Sequence, residues 1–188
     1  MKDETAPLDA DPPTQLRSAF AAIRHLETAV LGVQGNEGMV LRYGAFYGPG
    51  TGILDEAALG PLRRRQFPLI GDGGGWWSFL HVEDAAAATA LAIERGAPGI
   101  YNIVDDEPAA VRDWLPALAT MLGAKPPRRF PTWLARLAVG SHLVVMMTEA
   151  RAGNNAKAKR VLAREPAHRS WREGFREVLS QSPQGRFA

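Results

Sequence analysis

Apolar and polar positions alternate along the chain with two different periods, which predicts helices and strands in turn. Between residues 14 and 31 the apolar positions form one stripe of an amphipathic helix: Leu16, Phe20, Ile23, Leu26 and Val30. Further helices are predicted over residues 53–64, 85–94, 114–122, 133–147, 157–162 and 171–179. Short apolar runs bounded by glycines or turns predict strands at residues 39–41, 77–82 and 100–104.

Strands separated by helices indicate an α/β protein with a largely parallel sheet. Residues 1–13 are polar and rich in proline, so they are predicted to be a lead-in, whereas residues 14–188 are predicted to form a single α/β domain. Three parallel strands leave long unpaired edges, which natural proteins normally cover. We therefore expect the sheet to be incomplete on its N-terminal side.

Composition narrows the class of protein. The 188 residues are 46% hydrophobic and 22% charged, which is typical of one globular domain. Cysteine is absent, which excludes disulfides, a thiolate nucleophile and cysteine-ligated metals. The start carries no export signal, and the apolar run at residues 143–147 is far shorter than the roughly 20 residues of a membrane span. A cytoplasmic protein with no membrane partner is the expectation.

The low net charge argues against a nucleic-acid site, and the histidine spacing argues against a metal site. The net charge is only +2, and the basic clusters at residues 63–65 and 128–129 are expected to be solvated faces. Nucleic-acid binding would require a larger basic excess. No metal site is predicted, because His142 and His168 have no second ligand at a metal-like spacing.

Four segments, met in a fixed order, carry a family resemblance. They are residues 41–50 (LRYGAFYGPG), 77–84 (WSFLHVED), 99–103 (GIYNI), and the C-terminal pair 157–162 and 171–175. Together they resemble the extended short-chain dehydrogenase/reductases, the NAD-dependent epimerase/dehydratase family, over its C-terminal half only. The resemblance implies a partial Rossmann-like, doubly wound parallel sheet with a helical C-terminal lobe on the substrate side.

The resemblance also implies NAD or NADP as cofactor, although this chain lacks the family's glycine turn for the pyrophosphate. Gly71 to Gly75 precede a strand instead of following one, so we do not expect them to bind phosphate. Weak or absent cofactor binding is therefore expected for the chain alone.

The family's catalytic Tyr-x-x-x-Lys pair is also absent. If Glu27 matches the glutamate that follows this pair, Ala19 and Ile23 occupy the Tyr and Lys positions, and neither can transfer a proton. The catalytic residues are therefore unknown. His25 is either a replacement acid/base or, as we favour, a histidine on the polar face of the helix.

The same resemblance implies a site around the first strand end. Tyr43, Gly44 and Ala45 are expected to face the cofactor, and Tyr47, Trp77 and Arg151 to line the substrate pocket. For Tyr43 and Tyr47 the alternative is a buried aromatic pair on a core strand.

Two substitutions bear on the substrate. Nucleotide-sugar enzymes of the family carry Asn where Ala45 stands and Arg where Trp77 stands, so a nucleotide sugar is not expected. Trp76 and Trp77 suit an apolar or aromatic small molecule better. Arg151 could instead form a surface pair with Glu149, and Asp84 is expected to cap the helix that follows it.

Two functions remain open at this point. The first is an NAD(P)-dependent, oxidoreductase-like member of the family, truncated and inactive alone. The second is a non-catalytic module that binds a small molecule or a partner. Both imply a homo-oligomer or a complementing N-terminal half, because the predicted sheet is incomplete, and whether the chain is an enzyme stays undecided.

Overall fold

The computed structural model describes residues 1–35 and 37–181. After a 3-10 turn at Thr14–Leu16, the helices are α1 (Arg17–Gly32), α2 (Glu56–Arg63), α3 (Val82–Arg95), α4 (Val111–Met121), α5 (Thr132–Thr148), α6 (Ala156–Leu162) and α7 (Trp171–Gln181). The strands are β1 (Met39–Tyr43), β2 (Ala45–Tyr47), β3 (Leu69–Ile70), β4 (Trp76–Trp77), β5 (Phe79–His81), β6 (Gly99–Ile103), β7 (Ala109–Ala110) and β8 (Arg129–Phe130). The predicted α/β class is confirmed.

At the centre of the sheet, the chain changes its hydrogen-bonding partner between β1 and β2. β1 runs parallel to β6, and β2 runs parallel to β5. At the change, the N–H of Gly44 donates to the carbonyl of Ile103 (3.0 Å), and the N–H of Ala45 donates to that of Ser78 (2.8 Å). A Cβ at Gly44 would lie 2.7 Å from the Ser78 oxygen, so only glycine fits at this step.

The predicted three strands are too few. The single strand expected over residues 77–82 is divided at Ser78 into β4 and β5, and Val82 already belongs to α3. β4 pairs antiparallel with β7, whereas β3 pairs in parallel with β8. Two-residue strands contain no complete alternation of apolar and polar positions, so the sequence pattern could not reveal them.

The start of α3 corrects the prediction for Asp84. The N-cap is His81, whose Nδ1 accepts a hydrogen bond from the N–H of Glu83 (3.3 Å). The carboxylate of Asp84 instead accepts from the N–H groups of Ala167 (2.7 Å) and His168 (2.9 Å). Asp84 therefore ties α3 to the segment before α7 and does not cap its own helix.

Other helix boundaries shift by smaller amounts. α2 begins at Glu56 and not at residue 53, because Leu54 packs into the core from the preceding loop. α5 is interrupted at Gly140, whose φ of 83° and ψ of 164° are not helical. In residues 1–35 and 37–181, none of the helices has the length and apolar character needed to cross a membrane.

Two apolar cores lie on the two sides of the sheet. The larger core packs α2, α4, α5 and α7 around aromatic residues of the strands and helices: Tyr47, Phe79, Trp114, Trp171 and Phe175. The smaller core packs α3 and α6 against β5 and β6, through residues such as Leu80, Ala88, Tyr101, Ile103 and Leu162.

The predicted lead-in is attached to the domain. The N–H of Lys2 donates to the carbonyl of Ala152 (2.8 Å), and the N–H of Asn154 donates to that of Lys2 (2.9 Å). The carboxylate of Glu4 also accepts from the N–H of Asn102 on β6 (2.9 Å). These bonds bring the N-terminal segment to one edge of the candidate site.

Candidate functional site

A cavity of about 1150 Å³ opens beside the junction of β1 and β2. Its walls come from α1, the β1–β2 junction, β4, the end of α5, the segment 149–153 and the N-terminal residues. Its lining residues include Lys2, Ala19, Ile23, Tyr43, Ala45, Trp76, Trp77, Glu149 and Arg151. This volume is sufficient for a substrate of drug size.

The wall formed by α1 is held in register by an ion pair. The Nε and Nη2 atoms of Arg42 each donate to the carboxylate of Glu27, both at 2.7 Å. With Glu27 so placed, Ala19 and Ile23 line the cavity. The positions that the resemblance assigns to the catalytic Tyr and Lys therefore face the cavity and carry no proton donor. His25 is exposed and is not among the cavity-lining residues.

The predicted cofactor-facing residues do lie together at the cavity. Tyr43, Gly44 and Ala45 all line it. The hydroxyl oxygens of Tyr43 and Thr89 are 2.6 Å apart, and Thr89 donates to the carbonyl of Ala85, so the Tyr43 hydroxyl is the donor between them. Its proton is thus engaged with α3, which removes Tyr43 as a ready acid.

Trp77 and Arg151, both predicted for the substrate pocket, line the same cavity. The indole N–H of Trp77 donates to the carbonyl of Met146 (2.8 Å), which fixes the ring in the wall. Arg151 is exposed, and Glu149 lies 4.0 Å from Arg136. The alternative surface pair between Glu149 and Arg151 is not formed.

The prediction that Tyr47 lines the pocket is corrected. Its side chain is 0% exposed and is absent from the cavity wall. The ring packs edge-on against Phe175 and His81, each with centroids 5.1 Å apart. Tyr47 is therefore a core group, and its burial raises the pKa of the phenol above the ordinary value. The alternative of a buried pair holds for Tyr47 only, because Tyr43 is 38% exposed.

A histidine cluster lies in the region between α3 and α7, and the sequence did not predict it. The rings of His81 and His168 stack with centroids 3.7 Å apart, and Nδ1 of His168 is 3.1 Å from a carboxylate oxygen of Asp84. Ligand atoms of His81, Glu83 and His168 all lie within 4.8 Å of one another, as a metal site would require. Nδ1 of each histidine takes part in a hydrogen bond, and Nε2 of His168 lies 3.5 Å from the carboxylate of Glu177, so the contacts of this cluster join α3 to α7. His81 and His168 lie far apart along the chain, so residue spacing in the sequence could not reveal this cluster.

The glycine-rich turn does not suit a dinucleotide pyrophosphate. A Cβ at Gly73 would lie 2.8 Å from the backbone nitrogen of Arg112, so the turn packs closely on α4. The N–H groups of Gly73 and Gly75 donate to the carbonyls of Ile70 (3.1 Å) and Met147 (2.9 Å) and are therefore not free for an anion. The turn therefore offers no cradle for a dinucleotide, and of the residues predicted to face the cofactor the structure shows only that they line the cavity.

A family model and a sequence relative match this chain. The model of the NAD dependent epimerase/dehydratase family matches residues 3–104. A Streptomyces sp. protein named 3-diazoavenalumate denitrifying reductase is 42% identical over 176 residues, which are 92% of this chain and 57% of that protein.

Solved structures show the same fold. Human epimerase family protein SDR39U1 with NADPH has a TM-score of 0.77 at 19% identity, over 96% of this chain and 60% of that one. A double mutant of DesIV, a dTDP-glucose 4,6-dehydratase from Streptomyces venezuelae with NAD bound, has a TM-score of 0.71 at 20% identity, over 98% and 55%. This chain therefore spans less than two thirds of the length of each of these relatives. With the family model covering more than half of its residues, the chain belongs to the NAD-dependent epimerase/dehydratase family.

Proposed function

We propose that this chain forms the substrate side of an NAD(P)-dependent reductase whose substrate is a small aromatic diazo compound. One observation carries the proposal: at the cavity, Ala19 and Ile23 stand where carbonyl chemistry in this family needs Tyr and Lys. A reaction that this site supports must therefore proceed without a proton from that pair. The Streptomyces relative, which is named as a denitrifying reductase, supports the choice of reaction.

Replacement of a diazo group by hydrogen meets this requirement. An aryl diazonium ion accepts a hydride at carbon, the C–N bond breaks, and its electron pair leaves with N2. One positive charge and one hydride are consumed, and the products are a neutral arene and N2. No alkoxide forms, so no general acid or base is needed, in contrast with carbonyl reduction.

The residues of the chain act on the substrate in two ways. The indoles of Trp76 and Trp77 offer flat apolar surfaces for an aromatic ring. Ala19 and Ile23 add an apolar stretch to the wall of the same cavity. When bound, a reduced nicotinamide dinucleotide supplies the hydride, and Tyr43 and Ala45 are the residues of this chain that would contact its nicotinamide end.

The pyrophosphate contacts must come from elsewhere, because the turn at Gly73 and Gly75 is packed against protein. We propose that they come from a complementing N-terminal half or from another subunit. A nucleotide-sugar substrate remains disfavoured in this proposal, since Trp77 cannot make the two-point contact with a diphosphate that arginine makes.

A reconstitution assay tests the proposal. The chain is mixed with a separately expressed N-terminal half of a full-length relative, NADPH and 4-carboxybenzenediazonium, and NADPH loss and benzoate formation are followed. We expect turnover above the protein-free background, and none with the matched aldehyde, 4-carboxybenzaldehyde. Reduction of the aldehyde in preference to the diazonium salt would contradict the proposal.

The second candidate is a non-catalytic binding module. It is favoured by the absence of both the Tyr-x-x-x-Lys pair and the glycine turn from the sequence. Tight binding of aromatic ligands without turnover, in the presence of N-terminal halves from several relatives, would establish it.

A further inference from the structure

The N-terminal segment forms part of the wall of the cavity. Four consecutive residues of this segment, Ala6, Pro7, Leu8 and Asp9, line the cavity. Burial alternates along them, because Ala6 and Leu8 are half-buried whereas Pro7 and Asp9 are exposed. Leu8 packs against neither of the two apolar cores. This apolar side chain is therefore sheltered at the cavity wall and not in the interior of the domain.

The first attachment of the segment to the domain is made of backbone and buried contacts. Lys2 forms two backbone hydrogen bonds, with Ala152 (2.8 Å) and Asn154 (2.9 Å). The carboxylate of Glu4 accepts from the N–H of Asn102 (2.9 Å), a residue that is only 7% exposed. A hydrogen bond between a carboxylate and a buried amide is among the stronger ones in proteins. This end of the segment is therefore fixed.

The contacts with α1 are weaker. The guanidinium of Arg24 donates to the carbonyl of Asp9, and that of Arg17 lies 3.1 Å from the carboxylate of Asp11. The side chains of Arg17 and Asp11 are 61% and 87% exposed, and exposed pairs contribute little to stability. Directly after these contacts Pro12 is buried, which fixes the second end of the segment.

Between its two fixed ends the segment is bonded only to itself. The N–H and the hydroxyl of Thr5 donate to the carboxylate of Asp3 (3.0 and 2.6 Å), and the N–H of Ala6 donates to the carbonyl of Asp3 (3.2 Å). Pro7 has no N–H to donate. In the part of the chain that the structure describes, residues 5–8 form no hydrogen bond outside the N-terminal segment. These residues can therefore move without breaking a bond to the sheet or to a helix.

We propose that residues 5–11 form a strap that opens and closes over the cavity, with both ends fixed and with Arg17 and Arg24 as its latch. In the closed position Leu8 lies at the cavity wall, and release of the latch moves it away and widens the path for a small molecule. Segments of low local stability are the ones that move at binding sites. The proposal concerns access to the cavity and holds whichever reaction takes place there.

The absence of cysteine from the chain allows one introduced thiol to report on access. Ala45→Cys places this thiol in the cavity wall, and its reaction with phenylmaleimide is followed by mass spectrometry. Adding Arg17→Gln with Arg24→Gln releases the latch. We expect labelling to become about fivefold faster or more, because the rate follows the population of the open form and the lost contacts are worth a factor of this order.

A double variant elsewhere on the surface is the matched control. Arg95→Gln with Arg176→Gln removes the same charge from two exposed residues outside the cavity wall, on α3 and α7. Labelling of the thiol should be unchanged in this control. Equal labelling rates in the latch variant and the control would overturn the proposal.

Hydrogen exchange separates opening of the strap from detachment of the whole segment. The amide hydrogens of Asn102 and Asn154 bond to Glu4 and Lys2 at the fixed end. Both should stay as well protected in the latch variant as in the control. Loss of protection at both amides in the latch variant would also overturn the proposal, because the segment would then leave the domain as a whole and not open as a strap.

Discussion

The carboxylate of Glu27 and the guanidinium of Arg42 form a two-point ion pair, with both N–O distances at 2.7 Å. The side chains are only 12% and 22% exposed, so the pair is largely withdrawn from water where α1 crosses β1. Its hydrogen bonds raise the pKa of Arg42 above the ordinary value. The pair joins α1 to β1, and Ala19 and Ile23 of the same helix line the cavity.

Removing one partner of this pair should destabilise the fold. Arg42→Ala leaves the Glu27 carboxylate without its partner, and we expect a loss of about 2–4 kcal/mol in the free energy of unfolding, measured in urea. Arg169→Ala, in an exposed pair with Glu165, is the control and should cost less than about 1 kcal/mol. Equal losses in the two variants would show that the Glu27–Arg42 pair stabilises the fold no more than an exposed ion pair does.

The buried phenol of Tyr47 gives a second test. Its hydroxyl has no hydrogen-bond partner among the described residues, so Tyr47→Phe should leave the unfolding free energy unchanged or raise it by about 1 kcal/mol. Gly174→Ala should lower it by about 1–3 kcal/mol, because the new Cβ would lie 2.5 Å from Cε2 of Tyr47. Loss of ligand binding in a fully stable Tyr47→Phe variant would show that the Tyr47 hydroxyl contributes to the pocket.

Asp105 should make stability fall as the pH rises. Burial raises the pKa of Asp105 to about 8, from an ordinary value of 3.8. Between these two values the folded state holds a proton that the unfolded state has released, so stability declines with rising pH across this window. Asp105→Asn removes that decline, and its gain in unfolding free energy over the wild type should grow from pH 5 to pH 9. A gain that is constant with pH would show that Asp105 is not protonated in the fold.

The exposed face of α1 predicts self-association. Leu26 is 62% exposed and Leu31 is 41% exposed, both outside the cavity wall, and β1 pairs with β6 alone among the described strands. Light scattering should show dimers or larger species that Leu26→Lys dissociates, because apolar surface of this kind marks an interface. Leu137→Lys on α5, at a residue 79% exposed, is the control for added charge. A stable monomer at high concentration would contradict the prediction.

Cofactor affinity of the chain by itself should be low. The glycine turn that binds the pyrophosphate in this fold is absent from the sequence, so we expect dissociation constants for NAD and NADP well above the low micromolar range.

The double variant Ala19→Tyr with Ile23→Lys should not create dehydrogenase turnover, since one acid/base group adds far less than the positioning of both reactants. Isothermal titration and NADPH absorbance provide the two measurements.

Local pattern determined much of the architecture. The 3.6-residue period of α1 and the apolar runs of β1 and β6 were sufficient to predict these elements, because burial of one face imposes the pattern directly on neighbouring residues. Motif order likewise determined the family. The identities of residues 19 and 23, neither of which can donate a proton from its side chain, are properties of the sequence alone.

Tertiary structure decided what depends on residues far apart in the chain. It placed Tyr47 in the core, joined Asp84 to His168, and bonded Lys2 to Ala152 at the cavity. None of these contacts can be recognised from the hydrophobic pattern of the sequence. Each joins segments that are distant along the chain and are brought together by packing and by backbone hydrogen bonds. The sequence therefore determined which chemical groups are available, whereas the fold decided which of them meet at one site.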